Sequence, residues 1–443
     1  MFIEKFKTYG DRNSIVWQDK VYTYFDLLDL IQKSNNFIEI NNIKSGDVVS
    51  LEADFSPNSL AMLFALVLKN VILVPLSISV KEKSEEFRSI SEVEKRIIID
   101  DNDNLFIIET NVKSDHKLLE DLRLQKRAGL ILFSSGSTGK SKAMIHDFCK
   151  ILQKFESSRP AKTTITFLLF DHIGGINTLF HVLSNGGCVV TLNDRSPTSI
   201  CQNIQKYKVQ ILPATPSFLN LLLISEEYKN YDLSSLELVT YGTEVMSEVI
   251  LKRFYEIFPN LILKQTYGLS EIGILSTKSE KSDSLWIKIS ENDCKIRVIN
   301  GMLEVKSAST MIGYLNADSS FTEDGWFKTG DAVEEKNEYI KILGRTSEII
   351  NVGGQKVYPV EVENEINKIQ NIADCLVKGE KNALVGQIVV AIIKLDKEEN
   401  SSDATKRIRL CLKEKLESYK IPQKIIISND KELFNQRFKK IRK

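Results

Sequence analysis

Short apolar runs alternate with helical stretches along the first half of the chain. Val48-Val49-Ser50-Leu51 is followed by a helical run from Ser59 to Leu68, and then by Val71-Ile72-Leu73-Val74-Pro75. This order predicts βαβ units and a largely parallel sheet. The alternation holds to about Ser196. It resumes with Ser199 to Lys206, Val209-Gln210-Ile211-Leu212-Pro213, Ser217 to Leu223 and Leu236-Glu237-Leu238-Val239-Thr240. Between Trp286 and Leu315 the strands shorten and turn signals accumulate, which predicts a small all-β subdomain. From Gln355 the pattern predicts a compact α+β unit, with a helix Pro359 to Ile369, a strand Ile388 to Leu395 and a helix Ala404 to Glu417. The fold class is therefore α/β. A large N-terminal domain of layered βαβ subdomains plus a small β subdomain spans residues 1–345, and a small α+β C-terminal domain spans 346–443.

Composition narrows the function classes. Lys+Arg and Asp+Glu both number 59, so the formal net charge is zero and overall charge does not suggest a nucleic-acid binder. From Thr346 onward 19 basic residues face 14 acidic ones, with much of the excess between Arg437 and Lys443. Such an end suits phosphates, an acidic carrier protein or plain solvent. The six cysteines show no Cys-x-x-Cys spacing and histidine is scarce, so neither a zinc site nor a disulfide framework is indicated. The run Leu60 to Leu68 stops at Lys69, far short of a membrane span, and the start Met1-Phe2-Ile3-Glu4-Lys5 has no signal-peptide core. A cytoplasmic protein with no integral membrane segment is expected.

The richest chemistry lies in Ser134-Ser135-Gly136-Ser137-Thr138-Gly139-Lys140-Ser141-Lys142, directly after the strand-like run Leu130-Ile131-Leu132-Phe133. Glycines let backbone N–H groups approach an anion, while hydroxyls and ammonium groups add donors and charge. The loop reads as a phosphate cradle. Gly139-Lys140-Ser141 imitates the end of a Walker A loop, but the glycine required five positions before Gly139 is Ser134. The following Ala143-Met144-Ile145-His146 predicts a strand where a P-loop nucleoside triphosphatase needs a helix N-terminus.

Four ordered motifs carry a family resemblance. The phosphate loop resembles that of the adenylate-forming superfamily, which includes acyl-CoA synthetases, peptide-synthetase adenylation domains and luciferases, with Ser141 where proline is usual. Tyr267-Gly268-Leu269-Ser270-Glu271 resembles the Tyr-Gly-x-Thr-Glu segment. Gly325-Trp326-Phe327-Lys328-Thr329-Gly330-Asp331 resembles the Gly-Trp-x-x-Thr-Gly-Asp segment. Gly344-Arg345, followed by Ile349 to Gly354 and Pro359 to Glu363, resembles the entry into the C-terminal domain.

The resemblance implies an ATP-dependent acid–thiol ligase. A carboxylate attacks the α-phosphate, pyrophosphate leaves, and a thiol then displaces AMP from the acyl-adenylate. On this reading Ser134, Ser135, Gly136, Ser137, Thr138, Gly139 and Lys142 hold the β- and γ-phosphates. Gly242, Thr243 and Glu244 form the adenine-binding turn and Tyr267 stacks on the base. Ser270 contacts the α-phosphate and Glu271 binds Mg²⁺. Asp331 and Arg345 take the ribose hydroxyls, and Ser347 stands where the family has its hinge. The catalytic lysine of the C-terminal pattern aligns with Lys439, with Lys440 as the alternative. Gly353-Gly354 would approach the thiol after a domain swing.

The acid is less legible. His172, Gly174 and Gly175 resemble the Phe-His-x-x-Gly segment of acyl and aryl ligases. Asp171 follows Phe170 as in peptide-synthetase domains, where such an aspartate binds an ammonium group. The expected substrates are thus ATP with Mg²⁺, a small-molecule carboxylic acid, fatty or other, and coenzyme A or the phosphopantetheine of an acyl carrier protein. An amino-acid-activating enzyme is the alternative, followed by a P-loop ATPase.

Overall fold

The computed structural model describes residues 2–135, 141–290, 294–428 and 440. Among these, the strands form two seven-stranded sheets, a six-stranded sheet, a five-stranded sheet and a separate two-stranded hairpin. The first seven-stranded sheet runs 262–265, 238–241, 211–214, 163–165, 188–190, 13–17 and 20–23, parallel throughout except for the last pair. The second runs 313–314, 141–147, 129–135, 72–76, 48–52, 95–99 and 105–109. Its centre is parallel, and its three outermost pairings are antiparallel.

Helices cover both faces of each of these sheets, as parallel strands require. The helices Tyr24–Ile40, Pro57–Leu68 and Ile173–Ser184 fill the space between them and share one large apolar core. The helices Pro197–Tyr207, Pro216–Ser225 and Glu248–Ile257 cover the outer face of the first sheet. Three of these helices begin alike. Ser56, Ser196 and Thr215 each accept a backbone N–H three residues on, and a proline occupies the first turn. Apolar periodicity alone starts these helices one or two residues late, because the proline carries no periodic signal.

The expected β subdomain extends further than Trp286 to Leu315. Its antiparallel sheet takes in Phe327–Lys336 and Tyr339–Arg345, while Gly313–Tyr314 leaves it to pair with Ser141–Asp147. The charged tail of the strand Phe327–Lys336, exposed at Glu334 to Lys336, conceals it from hydropathy. Residues 350–427 build a sheet with its own apolar core, closed by the helices Pro359–Asn367 and Ser401–Lys413. The long strand Ile372–Asn382 in it had no alternating signal. No helix among the described residues is long and apolar enough to cross a membrane.

Candidate active site

A cavity of about 610 Å³ opens where parallel strands of both large sheets end, at Leu76, Ser134, Ala214, Thr240 and Gln265. Crevices at the carboxyl ends of parallel strands are where α/β folds bind ligands, because loops diverge there and backbone donors are left unpaired.

The phosphate loop joins two antiparallel strands, Gly129–Ser135 and Ser141–Asp147, with Ser134 opposite Lys142 and Ser135 opposite Ser141. A strand, not a helix, follows the loop, so the Walker A geometry is absent. Ser134 and Ser141 line the cavity. The Lys142 ammonium sits 5.0 Å from the centroid of the Tyr314 ring, a cation–π contact that holds it at the loop's end. Gly136, Ser137, Thr138, Gly139 and Lys439 lie outside the described residues.

Gly242-Thr243-Glu244 follows the strand Leu238–Tyr241 and lines the cavity. A Cβ at Gly242 would lie 2.5 Å from the Thr266 hydroxyl and 2.8 Å from its carbonyl oxygen, so only glycine fits between the two strand ends. Thr243 holds φ at +72°, a strained conformation for a β-branched residue. The Glu244 carboxylate accepts from the Ser217 hydroxyl at 2.7 Å and from the Lys440 backbone N–H at 2.7 Å. It thus ties this turn to a helix N-terminus and to the chain's basic end.

Asp331 and Arg345 face each other across an antiparallel pair. Arg345 Nε lies 3.2 Å from Asp331 Oδ1, and the Tyr267 hydroxyl donates to Oδ2 at 2.6 Å. Asp331 is buried, and that burial pushes its carboxyl up against the opposing pull of Arg345. Tyr267 is raised too, by burial first and then by the Asp331 charge. Glu271 Oε1 accepts from the Tyr314 hydroxyl at 2.9 Å, and the Ser270 carbonyl is held by His146 Nε2 at 2.7 Å. His146 is fully buried, which pushes its pKa down to about 4 and keeps it neutral. Tyr267, Ser270, Glu271, Asp331 and Arg345 all line the cavity.

His172 caps the helix Ile173–Ser184, its Nδ1 accepting from the Gly174 N–H at 3.1 Å. His172, Gly174 and the neighbouring Asp171 line the cavity. Gly175 is not among the lining residues. A Cβ there would fall 1.9 Å from the Leu169 carbonyl oxygen, so its role is to let the helix pack on the preceding turn. Asp171 is buried and its Oδ2 accepts from the Ser77 hydroxyl at 2.8 Å.

Lys440 borders the cavity, but its ammonium points into the C-terminal unit. It lies 3.2 Å from Asp374 Oδ1 and 3.4 Å from Glu363 Oε2, and donates to the Cys375 carbonyl at 2.5 Å. That arrangement makes Lys440 an anchor. Tyr314, His146, Ser217 and the Lys440 partners escaped the sequence reading, because each acts through a residue distant in sequence. Thr346–Glu348, containing Ser347, forms a single 3-10 turn between the last strand of the β subdomain and the C-terminal sheet. Gly353 and Gly354, with φ of +58° and +89°, form a hairpin turn away from the cavity.

A loop hairpin, a glycine turn with a strained threonine, and an aspartate–arginine pair thus surround one crevice, with Lys440 at its border. The family model of AMP-binding enzymes matches residues 2–314, and that of the AMP-binding enzyme C-terminal domain matches residues 361–436. The chain belongs to the AMP-binding enzyme family. It is 25% identical over 328 residues to an indoleacetate–CoA ligase of Aromatoleum aromaticum, covering 68% of this chain and 63% of that protein. It is 26% identical over 407 residues to a probable 4-coumarate–CoA ligase 2 of Dictyostelium discoideum, covering 81% and 74%. The chain therefore spans less than two thirds of the first relative's length. The same fold occurs in the o-succinylbenzoate CoA synthetase of Bacillus subtilis, solved with an acyl-adenylate intermediate (TM-score 0.75, 19% identity, 100% of this chain and 96% of that one).

Proposed function

We propose that this protein is an AMP-forming acid–thiol ligase. The observation that carries this reading is the convergence of the phosphate-loop hairpin, the Gly242 turn, Tyr267, Glu271 and the Asp331–Arg345 pair on one cavity. The acid's carboxylate attacks the α-phosphorus of ATP and the bond to pyrophosphate breaks. The thiol sulfur then attacks the acyl carbon, and AMP leaves with the bonding electrons. The protein's task is to hold charges in place and exclude water, since preorganised donors need no rearrangement as charge develops.

Ser134 and Lys142 flank the β- and γ-phosphates, with the loop Ser135 to Gly139 between them. Asp331, already aimed by Tyr267 and Arg345, accepts from the ribose hydroxyls. Tyr267 and the Gly242-Thr243-Glu244 turn enclose the base. Ser270, fixed through its carbonyl by His146, meets the α-phosphate. Glu271 presents one carboxylate to the cavity, which fits Mg²⁺, a cation that takes a carboxylate and fills its shell with phosphate oxygens and water. Bound there, the ion would neutralise charge on the leaving pyrophosphate. Lys439, next in sequence to the anchored Lys440, is the lysine that the family pattern assigns to the attacking carboxylate. Residues 1–345 form the large domain, and 346–443 the small domain that turns about Thr346–Glu348 between half-reactions. The relatives' names favour coenzyme A as the thiol, with carrier-protein phosphopantetheine as the alternative.

ATP–pyrophosphate exchange across monocarboxylic, dicarboxylic, aryl and amino acids tests the reading. Exchange with one class supports it. Steady orthophosphate release without exchange for any acid refutes it. An amino-acid hit would favour the second reading, for which the buried Asp171 at the cavity wall is the motivating observation.

A further inference from the structure

One short stretch of chain, residues 311–316, joins the strand that leaves the phosphate loop to the turn that carries Glu271. Its backbone lies along the strand Ser141–Asp147. The Ile312 N–H donates to the Ile145 carbonyl at 2.8 Å and the Leu315 N–H to the Ala143 carbonyl at 2.9 Å. Gly313 and Tyr314 pair with Ile145 and Met144. Asn316 then continues the ladder with its side chain. Its Nδ2 donates to the Ser141 carbonyl at 2.8 Å, and its Oδ1 accepts from the Ala143 N–H at 2.9 Å. Those two groups flank Lys142, so a carboxamide standing in for a peptide fixes the backbone on both sides of that lysine.

The same stretch grips Glu271 twice. The Met311 N–H donates to the Glu271 carbonyl at 2.7 Å, and the Tyr314 hydroxyl donates to Glu271 Oε1 at 2.9 Å. Tyr314 is only 8% exposed, so its ring is held in place. The Lys142 ammonium lies 5.0 Å from the centroid of that ring. One side chain thus carries a cation on its face and a carboxylate on its hydroxyl. Among the described residues no salt bridge joins Lys142 to Glu271. Ser134, opposite Lys142 in the ladder, lines the cavity, and so does Glu271.

We propose that Tyr314 is a positioning residue that holds Glu271 and Lys142 apart, so that each meets a different part of the nucleotide's phosphate chain. The inference rests on the ligase reading and adds to it a residue that touches no substrate. An ammonium and a carboxylate left within reach attract one another strongly in a partly dry site. Once paired, each has to release the other before it can take a phosphate or a metal ion. Tyr314 prevents that pairing by engaging the two in different directions. The ring face takes the cation and the hydroxyl proton takes the anion. A phenylalanine here keeps the first contact and loses the second, and a leucine loses both.

The test is calorimetric titration of ATP into the full chain without any acid, over a series of Mg²⁺ concentrations, for the native protein, Tyr314→Phe and Tyr314→Leu. Hydrogen-bond partners of a metal-binding carboxylate commonly set metal affinity by about tenfold or more. Tyr314→Phe is therefore expected to raise the Mg²⁺ concentration for half-maximal ATP binding about tenfold. Its ATP Kd at saturating Mg²⁺ should change by less than about twofold, because the ring face stays. Tyr314→Leu should show the same Mg²⁺ shift and also weaken ATP binding at saturating Mg²⁺ by about tenfold. A role in packing alone lowers the fraction of protein that binds and leaves both constants unmoved. That result, or an equal loss in the two variants at saturating Mg²⁺, overturns the assignment. Tyr314→Phe keeps the ring's volume, so its Mg²⁺ shift decides alone if Tyr314→Leu does not fold. Pyrophosphate exchange separates the two proposals. A protein that shows these shifts and exchanges with no acid upholds Tyr314 and sinks the ligase. Exchange with an acid, in variants that bind ATP like the native protein, does the reverse. A native protein that binds no ATP sinks both.

Discussion

Lys440→Met keeps most of a side chain's volume and deletes its charge. The ammonium lies between Asp374 and Glu363, whose side chains are 0% and 3% exposed, and is itself 9% exposed. Without it two buried carboxylates lose the cation that both face. Breaking a buried ion pair from one side costs about 3–5 kcal/mol, because the remaining charge is left desolvated. Each carboxylate keeps one backbone donor, Cys375 N–H at 2.8 Å on Asp374 and Val377 N–H at 2.9 Å on Glu363. Those bonds hold the expected cost to the lower end, about 3 kcal/mol, or a little over two powers of ten in an equilibrium. Amide hydrogen exchange on the intact chain reads this directly. Exchange in the strand Ile372–Asn382 and the helix Pro359–Asn367 is expected to speed up about a hundredfold, while the two large sheets stay protected. Lys440→Arg, which keeps the charge, should show a much smaller change. A change below about threefold in Lys440→Met would refute the anchor.

Three further outcomes are expected. Tyr267→Phe removes the hydroxyl 2.6 Å from the buried Asp331 and should lower unfolding stability by about 1–3 kcal/mol in denaturant titration; an unmoved midpoint would show that the bond carries no weight. Gly175→Ala places a methyl 1.9 Å from a backbone oxygen, and must displace the helix Ile173–Ser184. The cost is about 1–3 kcal/mol or more, visible as a lowered melting temperature, and a native-like melt would contradict the packing. His146 has its pKa lowered from 6.5 to about 4 in the folded state, so the unfolded chain binds the extra proton between those values. Its penalty is absent above pH 6.5 and grows as pH falls toward 4, reaching about 3 kcal/mol. The unfolding free energy should decline over that window and decline less in His146→Gln; parallel profiles would remove His146 as the cause.

Much of the fold was legible because alternating apolar runs record which faces are buried, and burial drives the layers together. The strand Gly129–Ser135, the strand after the phosphate loop and the core helix around Leu60 to Leu68 were all readable this way. Edges were not. Phe327–Lys336 carries an exposed charged end, and Ile372–Asn382 lacks clean alternation, so neither announced itself. Ser134, Tyr267, Glu271, Asp331 and Arg345 were singled out in short segments whose neighbours specify a turn, and all five line the cavity. Gly175 was read as a substrate contact but does not line the cavity, and a glycine in sequence does not reveal whether a ligand or a carbonyl occupies the missing Cβ's place.

Local chemistry thus sets the family and the motifs proposed to hold phosphate, base and ribose, since these depend on residues adjacent along the chain. Which partners complete them depends on contacts across long separations: Tyr267 with Asp331, His146 with Ser270, Tyr314 with Glu271, Lys440 with Glu363 and Asp374.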